Sequence, residues 1–165
     1  NLGFFLEAFT KAHFSVDVRL VVQGATAKPE DGEIFDEYAR KYSTNSNITF
    51  LHKNLIGIEW QKALMGVDVI MMPYAAERYR YHWGAMLFTA IGFYKPVLVS
   101  PELNPEVLEE FKIGQAIDLK SVEAFKNQLE EFIDDLIVNT DIFQKNLDAA
   151  NQKFSQAALI QNVLR

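Results

Sequence analysis

A chain of 165 residues, 49% of them apolar and 13% aromatic, can bury a real core, which excludes a disordered segment. Its net charge of −6 argues against a general nucleic-acid binder, which would show a basic surface, but leaves room for a local basic pocket. Cysteine is absent, which excludes disulfides and thiolate metal sites.

No stretch approaches the ~20 uninterrupted apolar residues of a membrane helix. No charged start runs into an apolar signal region. The first residue is Asn1 and the chain opens inside a helical pattern. The expectation is therefore a single domain over 1–165 taken from a longer, two-domain protein.

In chain order, Phe4, Phe5, Ala8 and Phe9 recur at helical spacing. They predict an amphipathic helix over 3–13, with His13 as its C-terminal cap. The β-branched run 16–22 predicts a strand ending at Gln23-Gly24. Pro29, Asp31 and Gly32 mark 25–32 as a loop. Ile34, Tyr38, Ala39 and Tyr42 return to helical spacing. A polar turn over 43–47 leads to a short strand, 48–51, which runs into His52-Lys53-Asn54. The segment 58–65 predicts a helix capped by Gly66.

The apolar run 67–72, stopped by Pro73, has the character of a strand buried on both faces. A polar and aromatic loop follows over 74–82, then a short apolar helix over 83–92, then a second apolar run over 96–100. Two such strands joined through a helix form a parallel crossover.

Asn104 stands where it would cap a helix starting at Pro105 and ended by Lys112-Ile113-Gly114. Ala116-Ile117 predicts a short edge strand. Ser121 caps a helix carrying Val122, Phe125, Leu129, Phe132 and Leu136. Thr140 caps the last helix, with Ile142, Phe143, Leu147, Ala150, Phe154 and Ala158 inward. Strands and helices alternate through most of the chain. That pattern predicts an α/β three-layer sandwich with a mostly parallel sheet.

Ligands of open parallel sheets sit at the carboxyl ends of the strands, and the loop after Met72 is at such an end. The ten residues 74–83 hold two arginines, three tyrosines, Glu77 and His82. Gly84 follows, in the first turn of the predicted helix. A helix start offers free N–H groups and partial positive charge, which suit a phosphate. Gly84 would let an anion approach the backbone, and Arg78 and Arg80 would add forked hydrogen bonds. The loop reads equally well as a solvated one whose arginines pair with the surplus acids.

Three histidines, His13, His52 and His82, show no metal-ligand spacing, so no metal is expected. His52 ends a strand at the same sheet edge and is a candidate ligand contact. No Walker or GxSxG sequence occurs. Glu130-Glu131 with Asp134-Asp135 reads as a solvated helix face.

At this point the residues resemble a family. The segment 67–100 is similar to the C-terminal, donor-binding half of group-1 retaining glycosyltransferases of the GT-B fold. Their pattern is an apolar strand ending in Pro-Ser, a Glu, a Gly-Phe-Gly-like turn, a helix reading Leu-Glu-Ala, and Gly-Lys-Pro-Val. Asp68-Val69-Ile70-Met71-Met72-Pro73-Tyr74 resembles the strand, and His82-Trp83-Gly84 stands at the turn. Phe88-Thr89-Ala90 stands at Leu-Glu-Ala, and Tyr94-Lys95-Pro96-Val97-Leu98-Val99-Ser100 at Gly-Lys-Pro-Val. Arg19-Leu20-Val21-Val22-Gln23-Gly24 resembles the family's strand ending in Gly, and 106–114 its Glu-to-Gly segment.

The resemblance implies a Rossmann-like fold and a UDP- or GDP-sugar as substrate, with no cofactor and no metal. The base would lie near His52, Lys53 and Asn54. The phosphates would meet the amides of Gly84, Ala85 and Met86. The sugar would face Arg78, Tyr81, His82 and Trp83, with Glu77 in the catalytic role. It implies sugar transfer to a glycan or lipid-linked acceptor, with a separate N-terminal acceptor domain as partner and no nucleic acid. It also implies a cytoplasmic location, with membrane contact at the inner face only through the full-length protein, and no transfer by this segment alone.

Departures from the pattern are specific. The family's two glutamates stand eight positions apart, and Tyr81 and Thr89 occupy those places here. Glu77 lies four residues after Pro73, so the loop has grown. The family's Lys-Gly is matched only by Leu2-Gly3. A second expectation is therefore a catalytically altered domain serving binding or assembly. A flavodoxin-like receiver or flavin domain is a weaker third, lacking an acidic cluster or phosphate loop after the first strand.

Overall fold

The structure, a computed structural model, describes residues 2–26, 28–73, 84–155, 157–158 and 160. Among them seven helices and five strands follow one another as α1 (Leu2–Lys11), β1 (Leu20–Gly24), α2 (Pro29–Lys41), β2 (Ile48–His52), α3 (Gly57–Met65), β3 (Ile70–Met72), α4 (Ala85–Gly92), β4 (Val97–Val99), α5 (Pro105–Phe111), β5 (Gly114–Ala116), α6 (Val122–Val138) and α7 (Thr140–Phe154). Every strand pair is parallel, as the alternating pattern requires. The α/β, Rossmann-like expectation holds. The strands form a two-stranded and a three-stranded ladder, and these belong to two compact units, one of residues His13–Lys62 and one of Asn1–Ala12 with Ala63–Arg165. No helix among the described residues is long and apolar enough to cross a membrane.

In the unit His13–Lys62, β1 and β2 pair from Leu20 with Ile48 to Gly24 with His52. Phe35 on α2 is buried and meets the Phe50 ring edge-on at 5.6 Å. A Cβ on Gly24 would stand 2.8 Å from the Phe35 ring, so β1 ends in the one residue that admits it. The strand starts at Leu20 rather than Val16, which is 47% exposed. β-Propensity marks that run, but only Leu20 onward finds a ladder partner. The start of α2 also differs from expectation, at Pro29 instead of beyond Gly32. Proline presets the first helical φ, and Glu30 and Asp31 complement the dipole in the first turn.

The other unit is built around β4, whose Val97, Leu98 and Val99 are all 0–1% exposed. Ile70 to Met72 flank it on one side and Gly114 to Ala116 on the other. A Cβ on Gly114 would fall 1.9 Å from the Val97 carbonyl oxygen, so β5 lies against β4 only because that side chain is missing. Gly114 thus opens a strand rather than closing α5. Lys112 takes the left-handed turn at φ 50 that ends the helix.

α1 and α6 pack through phenylalanines. Phe125, fully buried, meets Phe5 edge-on at 5.2 Å and stacks on Phe4 at 5.9 Å. The Ser121 hydroxyl accepts from the Ala124 N–H at 3.0 Å and caps α6, as expected. Thr140 does not cap α7. Its hydroxyl donates back to the Leu136 carbonyl at 2.7 Å, and Asn139 precedes α7 without a side-chain cap. Ile142, expected inward, is 56% exposed, while Phe143, Leu147 and Ala150 are buried. Phe154 of α7 meets Phe88 of α4 at 4.9 Å and Phe111 of α5 at 5.6 Å.

Candidate functional site

The carboxyl edge of β3 and β4 is tied by Ser100. Its N–H donates to the Met72 carbonyl at 3.1 Å and its buried hydroxyl to the same oxygen at 3.3 Å. The Leu103 N–H donates to the Ser100 carbonyl at 3.0 Å and turns the chain. Asn104 follows in the left-handed region, at φ 45 and ψ 54. Asparagine tolerates that conformation better than most residues. A capping side chain needs an extended N-cap backbone, so Asn104 does not cap α5 as expected. Its amide nitrogen donates to Glu106 Oε1 at 3.3 Å instead.

This loop lies against the start of α4. A Cβ on Gly84 would fall 2.4 Å from Asn104 Oδ1 and 3.0 Å from Leu103 Cδ1. Glycine at 84 thus has a packing cause, since its bare face carries the β4–α5 loop. The Gly84 carbonyl accepts from the N–H groups of Leu87 at 2.7 Å and Phe88 at 3.2 Å, which starts the helix. No side chain caps this end, and its first turn holds no acid. Among the described residues no acceptor serves the N–H groups of Ala85 and Met86. Ala85 is exposed and Met86 half-buried. Among the described residues, therefore, these amide hydrogens stand unopposed at the positive end of the dipole.

One turn on, the Thr89 hydroxyl donates to the Ala85 carbonyl at 2.8 Å, leaving the oxygen's lone pairs as its remaining polar function. Among the described residues, two oxygens of the neighbouring loop, Glu102 Oε2 and Asn104 Oδ1, are buried without a hydrogen-bond partner. Each such acceptor costs roughly 1–3 kcal/mol until a donor reaches it. Nothing in the sequence singled out Glu102, and Asn104 was expected only as a helix cap.

The unit His13–Lys62 carries the other expected contacts. His52 ends β2, and both of its ring nitrogens are engaged, Nδ1 with Asp36 Oδ1 at 2.7 Å and Nε2 with Thr26 Oγ1 at 3.0 Å. Its ring lies 4.8 Å from that of Phe35. A Cβ on Gly32 would stand 3.2 Å from Thr26 Oγ1 and 3.4 Å from His52 Cε1, so that glycine leaves room for the cluster. Lys53 pairs with Glu59 at 2.9 Å, and its carbonyl accepts from Gln23 Nε2 at 2.7 Å. Asn54 is exposed.

The structure brings Gly84, Ala85, Met86 and Thr89 into one helical segment, beside Leu103 and Asn104. His52, Lys53 and Asn54 belong to the other unit. Glu77, Arg78, Tyr81, His82 and Trp83 lie outside the described residues. No cluster of three or more histidine, cysteine or carboxylate side chains able to hold a metal occurs among the described residues.

The fold is α/β and Rossmann-like, with every ladder parallel. Among solved structures the chain is similar to WaaG, a glycosyltransferase involved in lipopolysaccharide biosynthesis, with a TM-score of 0.65 and 19% identity over 94% of this chain. The match spans 39% of the WaaG chain, about two fifths of its length. No family model and no curated protein matches the sequence.

Proposed function

We propose that this chain is the donor-binding half of a glycosyltransferase that moves a sugar from a nucleoside-diphosphate sugar to a glycan or lipid-linked acceptor. The observation that carries the reading is the uncapped first turn of α4, which stands at the carboxyl edge of β3 and β4 in a fold shared with a glycosyltransferase. Such an edge is where open α/β sheets hold ligands. The donor's phosphates take the amides of Ala85 and Met86, and Arg78 and the residues after it supply charge and the sugar contacts. Catalysis then consists of stabilising the leaving diphosphate as negative charge develops on it, with retention of anomeric configuration and Glu77 beside the sugar.

Calorimetric titration of the intact protein with UDP, GDP and their glucose and mannose conjugates tests this. Binding in the micromolar to millimolar range, weakened by Arg78→Ala, supports it. Absence of binding by all of them sinks it. Residues 1–165 alone are expected to bind donor without transferring sugar.

One observation favours a second reading. Thr89 stands where the resemblance puts the second of the family's two glutamates, and its proton is spent on the Ala85 carbonyl. A domain that keeps the fold but has lost turnover, serving binding or assembly, accounts for that replacement. Nucleotide binding without transfer by the intact protein, across a panel of acceptors, would select it.

A further inference from the structure

The unit His13–Lys62 holds a constellation of its own, built on Thr26, Asp36 and His52. β1 ends at Gly24 beside the end of β2 at His52. Thr26, two residues on, and His52 therefore stand at the carboxyl edge of one parallel ladder. α2 brings Gly32 and Asp36, one turn apart, against the same imidazole. Nδ1 of the ring meets Asp36 Oδ1 at 2.7 Å, Nε2 meets Thr26 Oγ1 at 3.0 Å, and the Phe35 ring lies 4.8 Å away. An ionised carboxylate can only accept, so Nδ1 carries the hydrogen. In the neutral imidazole Nε2 is then the acceptor, and the Thr26 hydroxyl donates to it. Thr26 is exposed and the His52 side chain is 34% exposed, so a ligand can reach the hydroxyl.

We propose that Thr26, His52 and Asp36 form an acyl-transfer site for a neutral or cationic ester, a site that does not depend on the nucleotide-sugar reading. A hydroxyl, a base within hydrogen-bond reach of it and a carboxylate that orients the base are what an activated oxygen nucleophile needs. Thr26 Oγ1 bonds to the carbonyl carbon of the ester and gives its proton to His52 Nε2. The bond to the leaving oxygen breaks, and the departing alkoxide takes that proton and leaves as an alcohol. Water then attacks the acyl-threonine and gives a proton to Nε2. Thr26 regains that proton as the carboxylic acid departs. Asp36 stays ionised throughout and fixes the ring. Thr26 Oγ1 lies 3.2 Å from where a Gly32 side chain would begin, against the first turn of α2. The N–H groups of a helix start suit the oxyanion that develops on the acyl group. Glu30 and Asp31 are exposed in that turn, which disfavours a substrate carrying negative charge.

The probe is p-nitrophenyl acetate, a neutral activated ester, given to the intact protein. Release of nitrophenol is followed by absorbance, and the acetylated residue is identified by peptide mass spectrometry. The acetyl group should appear on Thr26. Thr26→Val keeps the shape of the side chain without its hydroxyl and should abolish that label. Thr26→Ser keeps the hydroxyl and should retain it. His52→Gln and Asp36→Asn should slow its appearance about a hundredfold, the smaller end of what a positioned base contributes. Thermal unfolding of each variant checks that the fold is kept.

A cluster that only clamps α2 to β2 predicts something else. His52→Gln and Asp36→Asn would then lower Tm, and the parent protein would carry acetyl groups on lysines alone. A parent without acetyl on Thr26 overturns the proposal, as does a Thr26 label that forms equally fast in His52→Gln and Asp36→Asn. Should a variant fail to fold, labelling of the parent at Thr26 still decides. Neither result bears on the nucleotide site.

Discussion

Three glycines make opposite demands on a side chain, and each was visible in the sequence only as a glycine. At Gly114 an added methyl would meet a backbone carbonyl of the central strand, which cannot swing aside. Gly114→Ala should cost about 2–4 kcal/mol in a urea or thermal unfolding measurement, because β5 must shift off β4. At Gly92, the last residue of α4, nothing stands within 4 Å of an added Cβ. There alanine should stabilise by about 0.5–1 kcal/mol by restricting the unfolded chain. Equal effects at the two positions would contradict the packing described for β5.

Gly84 was expected to matter for an approaching anion, yet the face it leaves bare is filled by Asn104 and Leu103. A glycine in sequence reports that space is needed, not what fills it. Asn104 teaches the same limit. Asparagine before proline is a good cap signal, but its side-chain direction depends on a left-handed turn set by loop packing far along the chain. Glu102 carried no signal at all.

Elements were legible where periodicity and a local cap agree. α6 is the clearest case, with Phe125, Leu129 and Phe132 buried in turn and Ser121 capping. Ser121→Ala should lower stability by about 1 kcal/mol, checked by thermal unfolding, with Ser121→Asp restoring most of it. No loss on removing the hydroxyl would contradict the 3.0 Å contact to the Ala124 N–H.

The ends of strands were less legible, because strands are bounded by partners rather than by their own residues. β1 begins where Asn47 and Ile48 meet it, with the Leu20 N–H on the Asn47 carbonyl at 2.8 Å, and β-branched Val16 is left outside. Likewise β5 sits at 114–116, two residues earlier than its hydrophobicity suggested, because Gly114 fits under Val97. Thr140 was a plausible cap whose hydroxyl found a nearer acceptor at the end of α6.

At the scale of the whole molecule, alternation alone pointed to an α/β fold with parallel strands, and every ladder is parallel. The resemblance around 67–100 pointed to a Rossmann-like GT-B fold, and the likeness in fold to WaaG over 94% of the chain agrees with that fold. What the pattern could not show is the division into two compact units, which depends on long-range contacts.

The central claim is that the α4 start receives negative charge. Ala85 is exposed, and no acid occupies that first turn. Ala85→Glu should therefore act in two directions. As a carboxylate at a helix start it should raise thermal stability by roughly 0.3–1 kcal/mol. As a neighbour of the bound phosphates it should weaken nucleotide binding by about tenfold, or ~1.4 kcal/mol, more so at low salt. The decisive measurement is calorimetric titration of the intact protein and of Ala85→Glu with whichever of UDP and GDP binds. The account predicts a more stable variant that binds nucleotide more weakly. An unchanged Kd in the more stable variant, or no binding by either protein, would contradict it.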